Sequence, residues 1–136
     1  MKIKIQAELS ELSGMREKLS EFAELNSVAS DATNLIVLSI DEICTNLIKY
    51  AYNYNKSKTI DISVKISDNK FITTIKDTSE PFDIRKHAKK NIIEHVRKLN
   101  VGGLGMHIVL TVMDEIYYEP NSDVNPQNTL TLIKKL

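Results

Sequence analysis

The sequence is short of the residues on which several classes of protein depend. Cys44 is the one cysteine among 136 residues, so the chain can form neither an internal disulfide framework nor a thiolate metal cluster. Tryptophan is absent and aromatic residues make up 6%, which leaves no aromatic and basic surface for stacking bases. The 18 basic and 18 acidic side chains cancel, so no net field attracts nucleic acid or an anionic membrane. We therefore expect no direct nucleic-acid partner.

Long apolar runs are missing as well. No stretch approaches the roughly 20 apolar residues that cross a bilayer, so no membrane partner is expected. The opening Met1–Ile5 alternates like a strand and lacks the apolar run of a signal peptide, which predicts a cytoplasmic protein. The length and an apolar content of 42% predict one domain over residues 1–136 with a buried core.

Hydrophobic periodicity predicts alternating strands and helices. Strands are expected at residues 3–5, 60–66, 71–77, 116–119 and 129–136, and helices after Ser10, over 30–52 and over 104–113. Ser10 is the expected N-cap of the first helix. On the core side of the second helix we expect Leu35, Ile36, Ile40, Ile43, Leu47 and Ala51. The order predicts an α+β two-layer sandwich, with helices on one face of a mixed, largely antiparallel sheet.

Glycine is also scarce, but three of the four glycines fall in the hexapeptide Val101–Met106, directly before an apolar helix. Such a turn offers bare backbone and free N–H groups at the positive end of the helix dipole, which suits an anion. The alternative is a helix start that packs tightly against a strand and binds nothing.

The second helix carries a polar pair, Glu42 and Asn46, four residues apart and therefore on one stripe. A carboxylate and an amide at this spacing can share a divalent cation, or one can hold the metal while the other takes a proton. The alternative is a solvated helix face, which Ser39, Lys49 and Asn53 would extend. Cys44, beside this pair, is expected to be a small buried hydrophobe.

Two further segments complete the pattern. Asp77 ends an apolar strand and enters a turn, where its carboxylate can point into a cleft or simply stabilise the turn. The run Asn128–Leu132 reads N-T-L-T-L and fits ordinary strand alternation. No P-loop motif occurs, so phosphate binding would need another arrangement.

Together the motifs have a recognisable order: E-x-x-x-N-x-x-x-x-A-Y from Glu42, D-x-x-x-P-F-D from Asp77, G-G-x-G from Gly102 and N-T-L-T-L from Asn128. This order resembles the GHKL superfamily of ATP-binding domains, which have the Bergerat-type fold. Among its short members the chain looks most like the RsbW-type anti-sigma-factor serine/threonine kinases. The resemblance covers nearly the whole chain.

The resemblance implies ATP and Mg²⁺ as cofactors, and it assigns residue roles. Glu42 would be the general base, Asn46 the Mg²⁺ ligand and Asp77 the acceptor for the adenine amino group. Thr129 would support Asp77 and the adenine through a bound water. The other nucleotide contacts would come from Ser79, Phe82, Arg97, Gly102, Gly103, Leu104, Gly105 and Met106.

The basic stretch between Asp83 and the glycines corresponds to the ATP lid of that superfamily. Its cations are Arg85, Lys86, Lys89, Lys90, Arg97 and Lys98. Arg97 or Lys98 would reach the γ-phosphate when the lid closes. A solvated loop and a docking face for an acidic partner remain the alternatives.

The chain departs from the family pattern at two positions. Ser79 stands where the family usually has the glycine of D-x-G, which would tighten the pocket or strain the turn. Tyr50 stands where a histidine is common before Ala51 and Tyr52. The Ser79 substitution bears on nucleotide affinity more than on the fold, and the Tyr50 substitution bears on any role tied to that histidine.

The resemblance implies a kinase that binds an alternative sigma factor and phosphorylates a small antagonist protein on serine or threonine. The alternative is a nucleotide-gated binding protein without kinase activity. A detached histidine-kinase ATPase module and an α+β domain with a purely structural glycine turn are ranked below these two. The oligomeric state stays open; a homodimer is one alternative, since members of the family often pair through the sheet and the first helix.

Overall fold

The structure, a computed structural model, describes residues 1–86 and 104–136, and of Leu104 only the backbone. Its strands are β1 (Lys2–Gln6), β2 (Thr59–Ser67), β3 (Lys70–Asp77), β4 (Glu115–Glu119) and β5 (Asn128–Lys135). Its main helices are α1 (Glu11–Leu25), α2 (Ser30–Asn46) and α3 (Leu104–Val112), and a π-helical turn, Leu47–Ala51, continues α2. The predicted order of strands and helices is confirmed.

The strands form one sheet in the order β1-β2-β3-β5-β4, and each of these neighbouring pairs is antiparallel. The sheet was predicted to be mixed, but its pairings within the described residues are all antiparallel. The turn between β2 and β3 places Asp68 and Asn69 at φ values of 50° and 57°. Asn and Asp tolerate this left-handed conformation, which matches the twist of a tight hairpin. The hairpin predicted at these two residues is therefore confirmed.

The core lies between the helices and one face of the sheet. Alternate residues of each central strand point to that face, as the two-residue period of a strand requires. The largest fully buried apolar side chains of the core are Phe71, Met15, Leu19, Ile36, Ile40, Ile48, Ile60, Ile62, Ile75, Leu132 and Val109. Phe22 of α1 meets Phe71 edge to face, with ring centroids 5.9 Å apart, which is a favoured aromatic geometry. This packing confirms the predicted α+β sandwich.

The π-helical turn corrects the predicted core face of the second helix. The backbone N–H of Tyr52 donates to the carbonyl of Leu47, five residues back, at 2.8 Å. This wider turn shifts the phase of the side chains, so that Ile48 and Tyr52 are buried while Ala51 is exposed. The predicted core position of Ala51 was therefore wrong.

Other details of the helices also differ from the predictions. Leu35 was assigned to the core and is 40% exposed, whereas Ser39 was assigned to a polar stripe and is fully buried. The Ser39 hydroxyl is accommodated because it donates to the Leu35 carbonyl at 2.9 Å. Ser10 is the N-cap residue of α1, as predicted, but its side chain makes no capping hydrogen bond. In the part of the chain that the structure describes, no helix has both the length and the apolar character needed to cross a membrane.

Candidate functional site

Glu42 of α2 packs directly against Gly105 of α3. A β-carbon at Gly105 would lie 2.6 Å from Cδ of Glu42, which is closer than two such atoms can approach, and 3.2 Å from its Cγ. Gly105 is buried and has no positive φ, so the space taken by Glu42, and not backbone conformation, requires the glycine. The structure thus brings the predicted base and one glycine of the predicted phosphate-binding turn into contact.

Glu42 and Asn46 are both half-buried, and Asn46 is the last residue of α2. Neither side chain makes a hydrogen bond or an ion pair with another described residue. A carboxylate and an amide that are partly shielded from water, yet uncommitted, remain able to bind a ligand. No cluster of three or more His, Cys, Asp or Glu side chains within residues 1–86 and 104–136 could hold a metal ion unaided.

Asp77, at the end of β3, is 7% exposed, and one of its carboxylate oxygens carries its hydrogen bonds. Oδ1 accepts from the backbone N–H of Ser79 at 2.9 Å, from the Ser79 hydroxyl at 2.5 Å and from Nδ2 of Asn128 at 3.0 Å. No donor among the described residues bonds Oδ2. Because no fully buried side-chain oxygen in those residues lacks a partner, Oδ2 reaches the surface. Asp77 therefore offers one open acceptor.

Asn128 is the residue that holds Asp77 from the neighbouring strand. It lies directly across the β3–β5 ladder from Asp77 and is 1% exposed. Its Nδ2 also donates to the Ser79 carbonyl at 2.8 Å, and its Oδ1 accepts from the Asn121 backbone N–H at 2.8 Å. Nδ2 of Asn121 donates to the same Ser79 carbonyl at 3.2 Å. These bonds tie the ends of two strands and the 120–127 loop to one carboxylate.

Thr129 was predicted to support Asp77 through a bound water, which stays a prediction, whereas this register gives Asp77 a direct partner. Thr129 pairs with Lys76 and Glu119, and its side chain lies on the face of the sheet opposite to that of Asp77 and Asn128. Asn128, one residue earlier, makes the direct contact. Asn128 belongs to the N-T-L-T-L motif, but its residue type alone predicts no role, because its position opposite Asp77 depends on the strand register.

Ser79, where the family pattern has glycine, sits in this network without backbone strain. It does not have a positive φ, so the expected strained turn is not found. Ser79 is 8% exposed, and its hydroxyl donates to Asp77. The side chain therefore adds a donor to the buried network, and a tightened pocket stays a prediction.

Tyr52 connects the end of the second helix to the residues that follow Asp77. Its hydroxyl accepts from the Thr78 backbone N–H at 2.7 Å and donates to the Thr59 carbonyl at 3.3 Å. Tyr52 is 6% exposed, and both of these bonds are partly buried. The tyrosine of the A-Y pair in the motif thus has a structural role, because it holds the residue directly after β3 in place relative to the end of the second helix.

The segment after Ser79 is held by local bonds. The Phe82 backbone N–H donates to the Tyr118 hydroxyl at 2.9 Å, and the Phe82 side chain is exposed. Asp83 accepts two bonds from the Arg85 guanidinium, at 2.9 and 2.8 Å. The side-chain hydrogen bonds from Arg85 hold the pKa of Asp83 below its usual value. Arg85, one of the predicted lid cations, is therefore paired within its own turn.

Several predicted nucleotide contacts lie outside the described residues. These are Arg97, Gly102, Gly103 and the lid cations Lys89, Lys90 and Lys98. Leu104 begins α3, and Met106, two residues on, packs partly buried against the core.

Cys44 is fully buried, as expected, and burial raises the pKa of its thiol, with the Asp41 and Asp77 carboxylates adding to that shift.

Comparison with known proteins identifies the family of the chain. The family model of the histidine kinase-like ATPase domain matches residues 5–134. The serine-protein kinase RsbW of Bacillus licheniformis is 27% identical over 121 residues, covering 85% of this chain and 74% of the relative. The protein of the same name from Oceanobacillus iheyensis is 27% identical over 120 residues, covering 85% and 76%. That of Listeria monocytogenes is 24% identical over 115 residues, covering 80% and 73%.

A solved structure has the same fold. One chain of the SiaB–SiaC complex from Pseudomonas aeruginosa matches with a TM-score of 0.72 and 11% sequence identity. The match covers 100% of this chain and 89% of that chain. At this identity the likeness concerns the arrangement of helices and strands, and it agrees with the predicted two-layer α+β sandwich.

Proposed function

Because the chain belongs to the histidine kinase-like ATPase domain family, we propose that it binds ATP and phosphorylates a partner protein on serine or threonine. The acceptor would be a small antagonist protein, and an alternative sigma factor would be the competing partner. The observation that carries the proposal is the packing of Glu42, free of other partners among the described residues, against Gly105 at the start of α3. A carboxylate held beside the predicted phosphate-binding turn is what a phosphotransfer site needs.

The nucleobase would bind at Asp77. Oδ2 of Asp77 has no protein donor among the described residues, and it reaches the surface. The amino group of adenine would donate to it, since a carboxylate is a strong acceptor for a neutral donor. Phe82, whose side chain is 47% exposed in the segment after β3, would lie beside the nucleotide.

The phosphates and their metal would lie between α2 and the start of α3. The donor set suits Mg²⁺, which proteins usually hold through one or two oxygen ligands together with substrate phosphates. The Asn46 amide oxygen is uncommitted among the described residues and would be that ligand. Bound Mg²⁺ would neutralise charge on the phosphates.

Glu42 would act as the general base for the acceptor hydroxyl. The hydroxyl oxygen would attack the γ-phosphorus, the bond from that phosphorus to the oxygen of ADP would break, and the hydroxyl proton would pass to the Glu42 carboxylate. The products are ADP and a phosphoserine or phosphothreonine. The relatives named serine-protein kinase, at 24–27% identity, support this interpretation.

The experiment measures transfer of labelled γ-phosphate to an antagonist protein that co-purifies with the chain. Glu42→Gln keeps the shape of the side chain and removes the base, so transfer should fall by about 10²–10⁴-fold while Mg·ATP still binds. Glu17→Gln, at an exposed carboxylate on α1 without a partner among the described residues, is the matched control and should transfer normally. Unchanged transfer in Glu42→Gln would remove Glu42 from the mechanism. ATP-dependent partner binding without any labelled product would favour the nucleotide-gated binding protein instead.

A further inference from the structure

The Asp77 carboxylate is fixed by its neighbours in a way that bears on which base it can bind. Three donors converge on Oδ1, two from Ser79 and one from Asn128. Asn128 is itself fixed, because its Nδ2 and Oδ1 are bonded to Ser79 and Asn121. The carboxylate therefore cannot rotate without breaking several buried bonds.

From this arrangement we propose that Ser79 and Asn128 are positioning residues that make the site select adenine over guanine. The inference rests on the proposed function, since it concerns the base of the nucleotide bound there. With Oδ1 saturated, Asp77 presents one acceptor, Oδ2, to the ligand.

The two purines differ in what they offer to such an acceptor. Adenine has a single exocyclic amino group at position 6, which matches one acceptor. Guanine has a carbonyl oxygen at that position, which would face Oδ2 as a second acceptor, while its N1–H and 2-amino group are adjacent donors. A carboxylate with both oxygens free would match that pair of donors. Freeing Oδ1 should thus improve the fit of guanine relative to adenine.

The test compares the dissociation constants of Mg·ATP and Mg·GTP for the full chain by calorimetry. The wild type should prefer ATP, and Ser79→Ala should lower the ratio of the two affinities by at least about threefold. Asn128→Ala likewise removes one of the three donors, so we expect a fall of similar size, and the double variant, which leaves only the Ser79 backbone N–H on Oδ1, should lower the ratio by about tenfold or more. If the Asn128 variant does not fold, Ser79→Ala alone decides the matter.

Ser57→Ala is a matched control. The Ser57 hydroxyl and backbone N–H both donate to Oδ1 of Asn55, two residues earlier, which repeats the Ser79–Asp77 geometry in an exposed loop. This variant should leave the ATP to GTP ratio unchanged. If Ser79 and Asn128 have a purely structural role, their substitution would weaken the binding of ATP and of GTP by the same factor. An ATP to GTP affinity ratio that stays constant in both variants would overturn the inference. Failure of the wild type to bind either nucleotide would instead overturn the proposed function, and the inference with it.

Discussion

The carboxyl end of the Glu42 side chain occupies the space that a β-carbon would need at Gly105. This contact joins the C-terminal part of α2 to the first turn of α3, and it links two motifs that are more than 60 residues apart in the sequence. The contact also explains, on steric grounds and without a bound ligand, why the last residue of the G-G-x-G run is a glycine.

Gly105→Ala should therefore destabilise the chain and disturb Glu42. The new methyl group must displace either the carboxylate or α3, and overpacking of this kind costs about 1–3 kcal/mol. We expect a lower melting temperature by calorimetry together with a loss of phosphotransfer.

Gly14→Ala is the matched control, since a β-carbon at Gly14 in α1 meets nothing within 4 Å. Alanine there should stabilise the helix by about 0.5–1 kcal/mol. Combining Gly105→Ala with Glu42→Ala should restore much of the lost stability, because the obstructing carboxylate is gone. A double variant as unstable as Gly105→Ala would show that the cost arises elsewhere.

Tyr52→Phe should lower the stability of the chain, because it removes a hydrogen bond that holds the segment directly after β3. The variant leaves the partly buried Thr78 backbone N–H without this acceptor, which costs about 0.5–1.5 kcal/mol. Chemical denaturation should report that loss, and nucleotide affinity should fall because Asp77 directly precedes Thr78. Tyr50→Phe, at a side chain that is 70% exposed, should change neither property. Equal stability of the two variants would contradict the role given to the Tyr52 hydroxyl.

The order of elements and the sheet could be predicted from the sequence because strand alternation and turn residues are local signals. Asp68 and Asn69 mark their hairpin by residue type alone. The phase of the second helix could not be predicted, because one extra residue in the π-helical turn buries Tyr52 and exposes Ala51.

The candidate site was predicted by residue type, whereas its hydrogen bonds were not. Glu42, Asn46 and Asp77 stand out as polar residues at helical or strand-end positions. The pairing of Asp77 with Asn128 depends on which residue lies across the ladder, and a shift of one position separates Asn128 from Thr129. Likewise, the burial of Ser39 depends on a bond to its own helix that hydropathy does not reveal.

The stability of the chain should depend on Asp114 at low pH. The Asp114 carboxylate accepts from the Lys135 backbone N–H at 2.8 Å and from Nζ of Lys134 at 3.1 Å. The backbone bond from Lys135, followed by the bond from Lys134, lowers the pKa of Asp114 in the folded chain. A lowered folded pKa adds stability that is complete above the unfolded value of about 3.9 and is lost as the pH falls through the folded value.

Asp114→Asn should accordingly lower the melting temperature at pH 7 and have less effect as the pH falls below about 3.9 and through the folded pKa of Asp114, where the wild type loses this contribution. Asp123→Asn, at an exposed loop aspartate, is the control and should follow the wild type at every pH. A melting-temperature difference between Asp114→Asn and the wild type that is the same at all pH values would contradict the assignment.

The most direct test of the account is a thermal melt with and without saturating Mg·ATP, on the wild type, Asp77→Asn and Asp123→Asn. Ligand at about a hundred times its dissociation constant adds roughly 2.7 kcal/mol, which is several degrees for a domain of this size. We expect Mg·ATP to raise the melting temperature of the wild type and of Asp123→Asn. Asp77→Asn should lose this rise, because its new amide would present the adenine amino group with a donor or a weaker acceptor. A wild type that shows no increase, or an Asp77→Asn variant that keeps it in full, would contradict the nucleotide site proposed at Asp77.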